Sequence, residues 1–458
     1  LVLYSAAIYI RNKSEERVKS ALFLVIAAGL VLRLLCAADP FLHPWDERLH
    51  ALVAKHLMDH PLIPTLYAEA LLEYRPESWV DNHIWLHKQP LPLWCMALAM
   101  KIGGVNEFVL RLPSVLLSTL AIFFTYLLGS RLFSDRVGFW AAFFHSVNGF
   151  VIEITAGRIA TDHVDVFFFF FIELGVLLAV WDMKRSETGK SDLFPAFLTG
   201  MAIGAAILCK WLPALIVLPV YAVLNWREKS LTIRLLAILA AMALVALPWQ
   251  VYAALRFPRE YWLEQGYNLM HVTETLGSHA GDWWFHLDKA RIIWNELVYL
   301  PVLWLMWRLI QGDTDRRLLA LAIWIGGPYL FFSAVQTKMP GYLLFTAPAF
   351  FLLISLFLLR ADRLKLKKLD VVLRIAFIAL AIRYCVERVK PLQSHGPEYA
   401  LREKIRELEN RPNLPPKQSF SICRQPWKPC FTPMCRPMKK CPPGQTSEVC
   451  SIGATGCT

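Results

Sequence analysis

Apolar residues in this chain come in blocks. Stretches of roughly 17–22 residues with almost no charge recur from one end to the other, a length that can cross a bilayer as a helix. The pattern predicts spans at 20–38, 108–129, 137–154, 164–181, 193–209, 212–225, 235–255, 291–308, 318–335, 341–359 and 369–384, eleven in all. A twelfth apolar stretch, PLPLWCMALAMKIG at 90–103, is short and opens on two prolines, so it is expected to lie along the surface or re-enter. The fold class expected is an all-α polytopic membrane protein.

The polar breaks set the orientation. Alternate loops are basic: Arg11, Lys13, Arg17 and Lys19; Arg131 and Arg136; Lys184, Arg185 and Lys190; Arg227, Lys229 and Arg234; Arg308, Arg316 and Arg317; and 360–368. The positive-inside rule places these in the cytoplasm. The other set is longer and carries the acids: 39–89, 155–163, 256–290 and 336–340. These loops, and with eleven spans the C-terminus, then face the periplasm. The division expected is a cytoplasmic segment 1–19, a membrane domain 20–385 with long outer loops at 39–89 and 256–290, and a tail 386–458. The tail holds Cys423, Cys430, Cys435, Cys441, Cys450 and Cys457, enough for three disulfides on an oxidising face. It has no apolar periodicity from which to build a core, so an alternative is that it is truncated or not native coding sequence.

Composition agrees with the pattern. Hydrophobic residues make up 56% of the 458 residues and charged ones 18%, against about 25% in an ordinary soluble domain. The 28 Phe and 17 Trp suit a lipid solvent and its interfaces. Lys and Arg exceed Asp and Glu by 12. The excess lies in short loops between apolar runs, which excludes nucleic acid as the reason for it. No internal repeat is evident, which counts against transporters built from two related halves.

Chemistry is expected where charge stands on the outer side. HPWDERLHA at 43–51 places Asp46, Glu47 and Arg48 just past the first span. A carboxylate at a membrane-edge cavity can serve as general base; the plain alternative is a solvated loop acid. LHKQPLPLW at 86–94 puts Lys88 before a surface helix, where it can bind a lipid phosphate or merely snorkel. AGRIATDHVDVFFFF at 156–170 gathers Arg158, Asp162, His163 and Asp165 at a span mouth, with an Arg158–Asp162 pair as the structural alternative. Lys210 stands alone in LCKWLPAL at 208–215, and Lys338 and Tyr342 sit in QTKMPGYLLFTAPAF at 336–350. Lys88, Arg158, Lys210 and Lys338 are cations on the face where cations should be scarce. With Asp46, Glu47 and Asp162 beside them, they suggest a lipid phosphate held at the surface. A divalent ion near Asp46, Glu47 and His87 is a further option, though none is required. Glu173 lies deep in its span and is assigned no role.

These motifs, in this order, resemble the bacterial branch of glycosyltransferase family 39, which includes protein mannosyltransferase-like and lipid A aminoarabinose transferase-like enzymes. NEFVLRLPSVLLSTLAIFFTYLLGSRLF at 106–133 reads the same way, and the likeness covers roughly 20–360. It implies a GT-C fold with about 11–12 membrane helices and juxtamembrane helices in the first outer loop. It also implies a polyprenyl-phosphate sugar donor without a nucleotide, a lipid or protein acceptor, and a bacterial inner-membrane location with the active site outside. Asp46 matches the family's catalytic acid; Lys88, Arg158 or Asp162, Lys210 and Lys338 match phosphate- and substrate-contacting positions. Two departures stand out: KQP at 88–90 where many relatives have KPP, and a GR-to-D spacing that leaves Asp162 and Asp165 both eligible. A lipid or solute transporter or flippase, and a non-catalytic scaffold, are the other readings of many spans with polar mouths.

Overall fold

The computed structural model describes residues 2–13, 17–44, 46–67, 74–75, 81–159, 162–189, 192–277, 279–361, 367–390, 400, 402–404 and 407. The six tail cysteines, and Glu69, Glu73 and Glu77 of the first outer loop, lie outside the described residues.

The described chain is helical, with a single antiparallel bridge between Thr65 and Ile84. Two apolar helices open it, α1 (Val2–Lys13) and α2 (Val18–Ala37), packed on each other. The first outer loop follows, with α3 (Asp46–Leu57) and α4 (Pro90–Gly103). Within it, Leu66 N–H donates to His83 O (2.9 Å) and Trp85 N–H to Pro64 O (2.7 Å), fixing the approach to Lys88. Then come α5 (Glu107–Leu132), α6 (Asp135–Ser146), α7 (Gly149–Thr155), α8 (Asp162–Glu187) and α9 (Phe194–Lys210). A 3-10 turn (Leu212–Ile216) leads into α10 (Val217–Leu224), and α11 (Leu231–Arg256) follows. The second outer loop carries α12 (Pro258–Thr273) and α13 (Phe285–Ile293); after them run α14 (Tyr299–Ile310), α15 (Arg316–Ala334), α16 (Ala347–Ala361) and α17 (Lys367–Val389).

Six units among the described residues are long and apolar enough to span alone: α2, α5, α8, α11, α15, and α16 with the 3-10 turn from Pro340. The chain is a multi-pass membrane protein. Of the eleven spans expected from the sequence, these six meet the length and apolarity needed and one more is a bent pair; the other expected positions hold helices that are shorter, interrupted or less apolar. The predicted span 137–154 is α6 and α7, bent by 55°. The cause is Asn148, whose side chain accepts from Val151 N–H (2.9 Å) and so starts a new helix inside the apolar run. The predicted span 291–308 shrinks to the 12 residues of α14, because Asn295 caps the 3-10 turn Glu296–Val298 ahead of it.

α8 is the central helix. Its Phe167, Phe168, Phe169 and Phe170 are all buried, as expected of a helix apolar on every side. It packs on α9, which in turn packs on α11. Close approach of α9 to α11 needs glycine: a Cβ on Gly200 would stand 2.3 Å from Ile238 O, and one on Gly204 2.7 Å from Val245 Cβ. The spacing is that of a small-residue membrane interface. A buried ion pair, Arg234 with Asp182, joins α11 to α8, and Tyr221 donates to the same carboxylate. Arg234, expected in a cytoplasmic loop, is thus an internal tie.

Candidate active site

α3 begins at Asp46, so Asp46 and Glu47 share the first turn of a helix, about 100° apart around its axis. Glu47 turns into the protein and is 1% exposed. Arg111 donates to it from Nε (2.6 Å, Oε1) and Nη2 (3.0 Å, Oε2), His43 N–H donates to Oε2 (2.6 Å), and His163 Nε2 lies 3.1 Å from Oε1. Arg111 also donates to the carbonyls of Ala37, the last residue of α2, and of Asp39 and Phe41 in the loop that follows. Burial alone would raise the Glu47 pKa, but Arg111 and the two histidines outweigh it and hold it well below the usual carboxylate range. Gly157 makes room for this knot. Its φ is +73°, and a Cβ there would lie 2.5 Å from Glu47 Oε1. That is the physical content of the glycine in the GR motif.

Asp46 turns the other way, into a cavity of about 1200 Å³. Lys88 Nζ lies 3.6 Å from Asp46 Oδ2. Across the cavity Asp165, in the first turn of α8, is paired with Lys210 at the end of α9, and the Lys210 ammonium sits 5.1 Å from the centre of the Tyr342 ring. Arg158 also lines the cavity; its Nε and Nη2 both hold Asp39 Oδ2 at 2.9 Å, and Nη1 donates to Val389 O (2.5 Å) at the end of α17. α12 closes one side with Tyr267, Asn268, Leu269, His271 and Val272. Burial, with His87, Lys88 and Lys210 nearby, pushes the His271 imidazole down to about 4, so it is neutral at physiological pH. The remaining wall is apolar: Trp211, Leu212, Pro213, Phe331, Phe332 and Val335. Leu212 and Phe331 are more than half exposed, which marks where the cavity opens toward lipid.

Asp46, Lys88, Arg158, Lys210 and Tyr342, read from distant motifs, therefore meet around one space. Three expected members do not. Glu47 serves the internal knot and has no access to the cavity. Lys338 is 4% exposed and donates to the carbonyls of Phe332 (3.1 Å) and Ser333 (2.5 Å); it caps α15 where the helix leaves carbonyls unpaired. Arg48 lies off the cavity, with Nε 3.3 Å from Leu42 O. The side chain of Asp162 is outside the described residues, and Asp165, one turn on, is the acid of that motif in the cavity. His87 lines the cavity with Nδ1 3.2 Å from Glu264 Oε2. The set Asp46, Glu47 and His87 is not assembled for a metal, because Glu47 faces away; among the described residues no group of three acidic, histidine or cysteine side chains is placed to hold one. Arg111 and Asp39 were missed. A lone arginine one turn inside an apolar run was the available signal for the first.

Residues 87–252, which supply Lys88, Arg158, Asp165 and Lys210, match the family described as dolichyl-phosphate-mannose-protein mannosyltransferase. The helix array superposes on a crystal structure of ArnT from Cupriavidus metallidurans bound to undecaprenyl phosphate, with a TM-score of 0.59, 16% identity, and 84% of this chain and 72% of that one covered. The two chains share a fold. The archaeal oligosaccharyltransferase AglB from Archaeoglobus fulgidus aligns with a TM-score of 0.58 at 14% identity over 85% of this chain and 58% of that one. Among curated sequences, the undecaprenyl phosphate-alpha-4-amino-4-deoxy-L-arabinose arabinosyl transferase of Pseudomonas aeruginosa (strain LESB58) is 31% identical over 288 residues, 58% of this chain and 49% of its own. The enzyme of the same description from Pseudomonas paraeruginosa is 29% identical over 346 residues, covering 70% of this chain and 60% of its own. The chain spans about half the length of the first of these relatives.

Proposed function

We propose that this chain transfers a sugar from a polyprenyl-phosphate donor to a hydroxyl or phosphate of a lipid or protein acceptor at the outer face of the bacterial inner membrane. The donor that suits the relatives' names is undecaprenyl phosphate carrying 4-amino-4-deoxy-L-arabinose, and the acceptor that suits the resemblance is lipid A. One observation carries the reading: two acid–lysine pairs, Asp46 with Lys88 and Asp165 with Lys210, share a cavity that is apolar on its lipid side.

The donor enters sideways past Leu212 and Phe331, tail in lipid. Its phosphate displaces the carboxylates as partner of Lys88 and Lys210. Asp46 accepts the proton of the attacking hydroxyl as the new oxygen–carbon bond forms at the anomeric centre and the bond to the phosphate oxygen breaks, with inversion. The leaving polyprenyl phosphate gains a negative charge relative to the donor, so the two ammonium groups bind the transition state more tightly than the ground state. A good leaving group removes the need for the second, protonated carboxyl that glycosidases use. The lysines supply this charge themselves, so transfer is expected to survive a chelator; loss reversed by a divalent ion would place a metal beside Asp46.

The test is sugar transfer by the purified chain in nanodiscs. Asp46→Asn should lower the rate by on the order of 10²–10⁴ while leaving donor binding intact. Full transfer by that variant would remove Asp46 as the base. Lipid movement across a vesicle without transfer by the unaltered chain would remove the enzyme reading itself.

A further inference from the structure

Among the described residues three non-glycine residues have positive φ: Trp211, Asn295 and Lys390. Only Trp211 lines the cavity. Its φ of 76° and ψ of −149° follow directly on Lys210, where Trp211 N–H donates to Ile207 O (3.0 Å) and ends α9. A bulky side chain in this region is held there under a backbone strain that glycine would avoid. The corner it makes has a use. Lys210, Trp211, Leu212 and Pro213, four consecutive residues, all face the cavity, which an uninterrupted helix would not allow. Lys210 is held at the charged end by Asp165, and Leu212 is 55% exposed at the lipid end. The indole therefore belongs to the step between a phosphate site and the hydrocarbon.

We propose that Trp211 is a specificity residue for the donor lipid: its ring packs against the isoprene unit next to the phosphate and favours a flat, unsaturated unit over a saturated one. The proposal rests on the donor reading above and deepens it. A planar alkene can lie against an indole face along its whole length, while a saturated carbon chain touches it less evenly.

The experiment measures binding of undecaprenyl phosphate, unsaturated at that unit, and of a dolichyl phosphate, saturated there, to the full chain in nanodiscs. The unaltered chain should prefer the first several-fold. Trp211→Phe should keep the preference. Trp211→Gly should weaken undecaprenyl phosphate binding by roughly tenfold and bring the ratio of the two lipids to about one, with the fold retained, because relief of the backbone strain offsets packing lost with the partly buried ring. Unaltered binding by Trp211→Gly, or an equal loss for both lipids, would reduce Trp211 to a structural corner. No binding of either lipid by the unaltered chain would instead remove the donor reading on which the proposal stands.

Discussion

Asp46 and Glu47 are neighbours with opposite surroundings, and the difference comes from 100° of helix. The sequence marks both as candidates, since two acids after an apolar span are conspicuous. It does not say which one meets Arg111, 64 residues away, and that meeting decides the roles. Glu47→Gln should leave the Arg111 guanidinium buried without its counter-charge and lower stability by on the order of 3–5 kcal/mol. Because the Glu47 pKa is held well below its ordinary value, the carboxylate stays charged and this deficit should persist at pH 5. Denaturation followed in detergent at pH 5 and pH 7 checks both points. His43 runs in the other direction. Burial disfavours its charge, but Asp39 and Glu47 outweigh burial and raise its pKa. Its contribution is full below about 6.5, the unfolded value, and fades as pH rises through the raised folded value. His43→Gln should therefore cost more melting temperature at pH 6 than at pH 9.

Helix positions were legible because lipid demands long apolar runs, and runs are visible without any knowledge of neighbours. The interruptions were not, although their agents are local. Asn148 and Asn295 restart helices inside apolar sequence, and a single asparagine weighs little against a dozen hydrophobic residues in a reading based on runs. Packing was less legible still. Gly200 and Gly204 stand four apart, a recognisable spacing, but only the structure shows α11 as the partner. Gly200→Val should force α9 from the Ile238 backbone and cost about 1–3 kcal/mol. Since Lys210 and Trp211 end the same helix, donor binding should weaken along with stability, whereas Gly266→Val, at a position with open space, should change neither. Limited proteolysis and lipid binding on the two variants separate the cases.

Across the molecule, charge alternation orders the loops and the cavity lies at one end of the helix array. Asp46 opens α3, Asp165 is in the first turn of α8, Lys210 closes α9 and Tyr342 precedes α16. The orientation proposed for the chain predicts that an epitope inserted after Lys229, between α10 and α11, is reached only after cells are permeabilised, and that one after Gly277 is reached from outside. The reverse result would move the cavity to the cytoplasm and require a different donor side. Convergence itself could be read only as a suspicion: four cations on the wrong face invite a common ligand, yet Lys338 shows that one of them can be spent on a helix end. The Arg158 hydrogen bond to Val389 fastens the end of α17 to the wall of the cavity. The end of α17 thus stands against the wall of the cavity. A tether grafted there would hold a chosen acceptor at high local concentration, and a fluorophore on it would report the arrival of substrate.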